Sequence, residues 1–215
     1  MSDPTKRGAG ILILEGADCS GKTTLAHAIA TNVMENGGDF LYLHGSPWPG
    51  RVVEEHQRMA QQANDAINRG NTFVVIDHFW IAEQIYGAVY RGGPGYDNNM
   101  VNALDKTMNN LGALIILCVP TNLEAQIERH LSRFIKGGEH FGDASKVVAR
   151  YSDLWHGNLA HPGNSYIDKF IQHQDFKLRA DVVRYDMDAN KLNKMMHLST
   201  MLVGSARVRR KEKMQ

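Results

Sequence analysis

The apolar run Gly10-Ile-Leu-Ile-Leu14 ends in Glu15 and passes directly into Gly16-Ala-Asp-Cys-Ser-Gly-Lys-Thr-Thr24. Gly16 and Gly21 bracket four residues, Lys22 and Thr23 follow, and Leu25, Ala26, Ile29, Ala30 and Val33 then recur at helical spacing. A strand that turns through glycines into a helix leaves successive backbone N–H groups pointing into one concavity, and the helix adds its positive end to the same place. That pattern matches a phosphate-binding loop in full. Gly16, Asp18, Ser20, Gly21, Lys22, Thr23 and Thr24 are therefore the candidate nucleotide-binding residues. Lys22 is placed to reach the β- and γ-phosphates of ATP, and the Thr23 hydroxyl to ligate Mg²⁺. The plainer reading is a chance glycine-rich turn, and it leaves the order strand, loop, Lys-Thr, amphipathic helix unexplained.

Strand-like apolar runs recur at 10–15, 40–44, 73–77, 113–119 and 182–186. Helical periodicity occupies 22–36, 51–69, 79–90, 97–110, 121–135, 143–157 and 189–203. This alternation predicts an α/β three-layer sandwich of the P-loop NTPase type, with a mostly parallel five-stranded sheet. The continuous runs Phe73-Val-Val-Ile76 and Leu114-Ile-Ile-Leu117 suit strands covered on both faces. A chain of 215 residues with 43% hydrophobic content can close one sizeable core, so a single domain is expected over 1–205. Residues 159–178 fit neither period and are left unassigned.

The longest apolar runs fall far short of the ~20 residues that cross a bilayer, and no membrane partner is expected. Met1 to Arg7 is polar, unlike a secretory leader, and the two cysteines, Cys19 and Cys118, do not make a disulfide framework. A cytoplasmic protein is the expectation. Oligomeric state is left open, a homodimer included. The formal charge is +1, but residues 206–215 hold five cations against one acid, so this tail carries +4 and the remainder −3. Such a tail is either a solvated terminus or a contact for nucleic acid.

Ligands of open α/β sheets gather beyond the carboxyl ends of the strands, which directs attention to the residues after each strand. Asp77 closes the third run; if that strand neighbours the first, its carboxylate stands beside the phosphate loop. It then serves Mg²⁺ or takes the proton of an acceptor hydroxyl, or else it merely caps the helix that follows. Asp18 lies inside the loop, where the phosphates have no use for an acid, and is expected to face an acceptor. His44, Trp48, His78 and Arg91 are further candidates for acceptor binding, Trp48 as an aromatic surface for a base. Arg129, Arg133 and Lys136 share one helical stripe that runs into Gly137-Gly138. That stripe is either a solvated face or a small lid over about 129–145, in which Arg133 meets the transferring phosphate and Arg129 the nucleotide.

LEGADCSGKTT at 14–24, VVIDHFWIAEQIYGAVYRGG at 74–93 and IERHLSRFIKGGEH at 127–140, followed by ARYSDLW, together resemble the thymidylate kinase-like P-loop nucleotide kinases. The likeness extends to the divergent forms encoded by bacteriophages and covers about residues 9–155. It implies ATP- and Mg²⁺-dependent transfer of a γ-phosphate to a deoxynucleoside monophosphate, a pyrimidine or modified pyrimidine, with Asp18 near the acceptor sugar. One position departs from the family. The family usually has Asp-Arg after the third strand, its arginine gripping the acceptor phosphate, whereas this chain has Asp77-His78. Imidazole cannot supply the bidentate fork of a guanidinium. Arg51 or Arg91 would have to replace it, or the acceptor differs. Some phage relatives phosphorylate 5-hydroxymethyluracil within DNA, a DNA modification that would give the basic tail a role. A third reading is a P-loop switch that binds or hydrolyses NTP without any acceptor.

Overall fold

Every residue of β1 (Gly10–Glu15) is buried, as a strand covered on both faces must be. The computed structural model describes residues 9–45, 51–70, 72–95, 97–134, 141–156, 182–185, 200–204, 206–207 and 210. Within them the chain runs β1, α1 (Lys22–Glu35), β2 (Asp39–His44), α2 (Val52–Asn68), β3 (Thr72–Asp77), α3 (Trp80–Tyr90), α4 (Asn98–Asn110), β4 (Leu114–Cys118), α5 (Leu123–Phe134), α6 (Phe141–His156) and β5 (Val182–Tyr185). β1 to β4 form the body of the sheet, and the four-residue β5 pairs with β4 at one edge. The order is β2-β3-β1-β4-β5 with every pairing parallel. Residues 200–204, 206–207 and 210 are helical, whereas the rest of the helix expected at 189–203 lies outside the described residues, as do 159–178.

Alternation along the strands builds two cores. Ile11, Ile13, Val74 and Ile76 face α2, α3, α4 and α6, while Leu12, Leu14, Phe73 and Val75 face α1 and the buried Leu202, Val203 and Ala206. Helices therefore cover both faces of the sheet, giving three layers. α1 buries Leu25, Ala26, Ile29, Ala30 and Val33, the stripe that its sequence spacing predicts. Burying each of its larger side chains stabilises the fold by about 1.5–3 kcal/mol, so Ile29→Ala would be costly. α3 differs: all of Trp80 to Gly87 is buried, because α6, the turn after Arg91 and the core on that face of the sheet surround it.

The connection from β1 leads to β2 on one side of the sheet, and that from β3 leads to β4 on the other. A crevice opens where such connections diverge, here between the carboxyl ends of β1 and β3. Their register sets Leu14 beside Asp77, so the condition that put Asp77 next to the phosphate loop is met.

Candidate functional site

Gly21 occupies the left-handed region at φ +88° and starts α1 with no side-chain cap, and the first turn carries no acid. α4, by contrast, is capped by Asp97, whose carboxylate accepts from the Met100 N–H at 3.0 Å. The open end of α1 is the kind that receives an anion. Gly16 has no room for a side chain. A Cβ there would stand 2.5 Å from the Cys118 carbonyl oxygen and 2.7 Å from Ser20 Oγ. Ser20 is buried, and its Oγ has no hydrogen-bond partner. Lys22 bends back along the loop and donates to the Gly16 and Ala17 carbonyls at 2.8 and 2.9 Å. Thr23 and Thr24 are exposed at the start of the helix.

Asp77 is the hinge between this loop and the rest of the site. The Tyr42 hydroxyl donates to its Oδ2 at 2.6 Å, and His44 Nδ1 lies 3.8 Å from the same oxygen. Its Oδ1 is buried and accepts nothing. Burial alone would raise the carboxyl's pKa, but the His44 imidazole, the Lys22 charge, His78 and the Tyr42 hydroxyl outweigh it and hold it at about 2. Asp77 is thus a buried carboxylate with a free oxygen. The Tyr42 hydroxyl, which burial and this carboxylate push well above the usual phenol value, also lies beside Thr23 and so links the two expected metal ligands. His44 is raised in its turn by Asp77. Tyr42 escaped the sequence reading, because only the β2–β3 pairing brings it to Asp77.

A cavity of about 190 Å³ opens where His44 and His78 follow β2 and β3. Its walls are His44 and Gly45 after β2, His56 of α2, Asp18 of the loop, and His78, Phe79, Ala82, Glu83 and Tyr86 where β3 enters α3. His78 takes a left-handed backbone, φ +60°, which strains a non-glycine residue and turns its ring inward. That ring lies edge-on to His44 and Tyr86, with Nε2 3.9 Å from Asp18 Oδ1. Burial and the nearby Lys22 charge depress its pKa well below the usual imidazole value, and burial lowers His56 to about 4. Both rings are neutral at pH 7. Asp18 is fixed through its backbone: its N–H donates to the Tyr86 hydroxyl at 3.1 Å, and Gln126 Nε2 donates to its carbonyl at 2.9 Å.

Glu15 stands behind the loop, wholly buried, accepting from the Phe79 N–H at 3.0 Å and the Tyr151 hydroxyl at 3.2 Å. Burial raises its pKa to about 8, so it is largely protonated at pH 7. It ties β1, the start of α3 and α6 together. Arg91, an expected acceptor contact, pairs with Glu83 at the end of α3, and the Gly95 N–H donates to the same carboxylate oxygen at 2.6 Å. Arg129 is half-buried on α5. Arg133 lies in the last turn of α5. Trp48, Lys136 and the 135–140 part of the expected lid lie outside the described residues.

Among the described residues no three His, Cys, Asp or Glu side chains converge on a metal position. Mg²⁺ does not need such a cage; it binds through one or two carboxylates, waters and substrate phosphates. The free Asp77 Oδ1 and the Thr23 hydroxyl fit that habit. No helix among the described residues is long and apolar enough to cross a membrane.

No family model and no curated protein matches the sequence. Solved structures do. The YorR protein from Bacillus subtilis, in complex with phosphorylated GDP, aligns with a TM-score of 0.60 at 14% identity over 90% of this chain and 95% of its own. APE1195 aligns with a TM-score of 0.50 at 16% identity, over 92% and 96%. At such identities the likeness is one of fold alone, an α/β arrangement with a parallel sheet shared over nearly the whole chain.

Proposed function

We propose that the chain is a P-loop phosphotransferase that moves the γ-phosphate of ATP to a deoxynucleotide, a pyrimidine or modified pyrimidine, seated in the cavity beside Asp77. One observation carries this reading. A buried carboxylate, held ionised and with one oxygen free, stands beside an anion-binding loop, and the next residue, His78, lines a ring-sized cavity. A switch that only binds or hydrolyses NTP has no use for such a cavity. The YorR complex, with a phosphorylated nucleotide on a similar fold, supports the nucleotide side of the reading.

Lys22 leaves the loop carbonyls to follow the γ-phosphate, and the loop N–H groups with the open end of α1 hold the phosphate oxygens. The free Asp77 Oδ1 serves the metal rather than the acceptor's proton, since Oδ2 is already engaged by the Tyr42 hydroxyl. Thr23 and Asp77 are the residues that would hold Mg²⁺, which when bound neutralises charge on the phosphate oxygens. Asp18, fixed by Tyr86 and Gln126, orients the acceptor, with His44 and His78 lining its approach. Arg129 and Arg133 on α5 close on the transferring group. The sheltered, reducing setting of a cytoplasmic enzyme suits the free cysteines.

A second reading, phosphorylation of 5-hydroxymethyluracil within DNA, is favoured by one fact: no Lys or Arg lines the cavity among the described residues. A hydroxyl acceptor needs none, whereas an acceptor phosphate does. The deciding experiment is transfer of labelled γ-phosphate to nucleosides, deoxynucleoside monophosphates, ordinary DNA and DNA containing 5-hydroxymethyluracil. Label on monophosphates supports the first reading; label on modified DNA alone replaces it with the second. ATP hydrolysis with no labelled acceptor would leave only the switch.

A further inference from the structure

Glu83 is 2% exposed, lines the cavity, and engages only one of its two carboxylate oxygens. Oε1 receives Arg91 and the Gly95 N–H, while Oε2 is buried and accepts no hydrogen bond. A buried acceptor left without a donor loses its hydration with nothing in return, so the position invites a donor from outside the chain. The surrounding surface says what kind. Phe79, Tyr86, His56 and His78 give flat ring walls, and Asp18 adds a second acceptor on the loop side. Among the described residues no Lys or Arg lines the cavity to hold an anion, and a purely aliphatic group leaves Oε2 unsatisfied. Size narrows the choice further: a cavity of roughly 150 Å³ holds a benzene ring, so about 190 Å³ suits one heterocycle with small substituents.

We infer that this cavity is a nucleobase site in which Glu83 Oε2 accepts a ring N–H or amino hydrogen of the acceptor base. This rests on the phosphotransferase reading and deepens it: Glu83 is a specificity-determining residue that reads the base and leaves chemistry to the loop and Asp77. The Arg91 pair and the Gly95 N–H fix the carboxylate so that Oε2 cannot rotate away to another partner, which is the preorganisation that discrimination needs. The base arrives on a free nucleotide or on a strand of DNA; its edge is the same in both.

Binding to the full chain, measured by calorimetry without ATP, separates the possibilities. The four common deoxynucleosides are titrated, and the tightest is compared with its analogue methylated at the donor nitrogen and with ribose 5-phosphate, which has no base. The parent protein should prefer the unmethylated nucleoside by about tenfold or more, since a site built around a buried acceptor rejects a ligand lacking the donor. Glu83→Gln should erase most of that preference. Ala82→Leu, which fills the cavity and leaves the Glu83–Arg91 pair alone, should abolish nucleoside binding with ATP affinity kept, and it covers the case in which Glu83→Gln fails to fold. Equal binding of the methylated analogue, or undiminished binding by Ala82→Leu, overturns the assignment. Competition by a free monophosphate against a single-stranded oligonucleotide then identifies the source of the base. If the base binds as described and no acceptor is ever phosphorylated, the transfer reading fails and the base site stands. If transfer occurs with no dependence on the donor hydrogen, the base site fails and transfer stands.

Discussion

The two ends of the same strands behave as different materials. At the carboxyl ends of β1 and β3 lie two left-handed non-glycine backbones, Cys19 and His78, and unpartnered oxygens on Ser20, Asp77 and Glu83. At the amino ends the packing is closed: Gly10 pairs with Phe73, Ala206 is fully buried against them, and Arg207 lies 6.0 Å over the Phe73 ring. Backbone strain persists only where something offsets it, and among the described residues the left-handed non-glycine backbones lie at this one end, the carboxyl end. Closed packing lies at the amino end and the strained backbones at the carboxyl end, roughly 16 Å away along β1.

The sharpest way to break this contrast is Lys22→Ala. Removing a preorganised cation aimed at a transferring phosphate should lower kcat by roughly 10²–10³-fold. The thermal midpoint should barely move, because Lys22 holds only two loop carbonyls. Near-normal turnover by a correctly folded variant would take the carboxyl end out of catalysis.

Glu15→Gln tests a buried acid there that chemistry does not use. Its pKa is raised from 4.5 to about 8 in the folded chain, so between those values the native state holds a proton that the unfolded chain has lost. The stability this confers is complete below pH 4.5 and declines as pH rises through 8, by about 1.4 kcal/mol per pH unit. Glutamine keeps an acceptor for the Phe79 N–H and cannot ionise. Urea unfolding from pH 5 to 9 should show the parent losing stability relative to the variant across that window; parallel curves would mean that Glu15 is already charged in the native protein.

Much of this was readable in the sequence, though unequally. Strand and helix bounds fall within about two residues of the expected ones for β1 to β4 and α1 to α6, since each element repeats its apolar period. The loop was legible because its parts are contiguous: nine residues, Gly16 to Thr24, with the backbone forming the anion site. The cavity was not. Tyr42 reaches Asp77 only through strand pairing; Gln126 reaches Asp18 across 108 residues; Glu83 and Tyr86 point into the cavity from a helix that, being buried all round, has no polar face to mark them. The spacing of Glu83 and Tyr86 at i and i+3 was the available signal. Arg91 was noticed as a cation, but not the acid that engages it.

A milder test is Tyr42→Phe. It deletes the hydroxyl that donates to Asp77 and leaves the ring, which stacks with His44 at 6.3 Å. Loss of one hydrogen bond on a half-exposed residue should cost about 1 kcal/mol or less. Asp77 should titrate somewhat higher, towards its ordinary 3.8, because one of the groups holding it down is gone. The acid limb of a kcat profile should therefore move to higher pH, with kcat at neutral pH falling several-fold at most. An unmoved acid limb would mean that Asp77 does not set it.

Arg207→Ala should do least, and it probes the other end. Arg207 sits over Phe73 and burial lowers its pKa, while Arg210 Nη2 lies 3.5 Å from Asn68 Oδ1 at the end of α2. Both cations of the tail that are described thus pack against the protein at the amino ends of the strands, facing away from the cavity. Loss of the cation–π interaction should cost about 0.5–1 kcal/mol of stability and leave transfer to a free nucleotide unchanged. The informative measurement uses DNA as acceptor. If residues 206–215 bring DNA to the site, the variant should bind it more weakly with a shallower dependence on salt, by about one unit in the log–log slope for each phosphate that is no longer neutralised. An unchanged slope, with unchanged transfer, would assign Arg207 to the packed end of the molecule and leave any DNA to enter from the carboxyl side, over His44 and the base cavity.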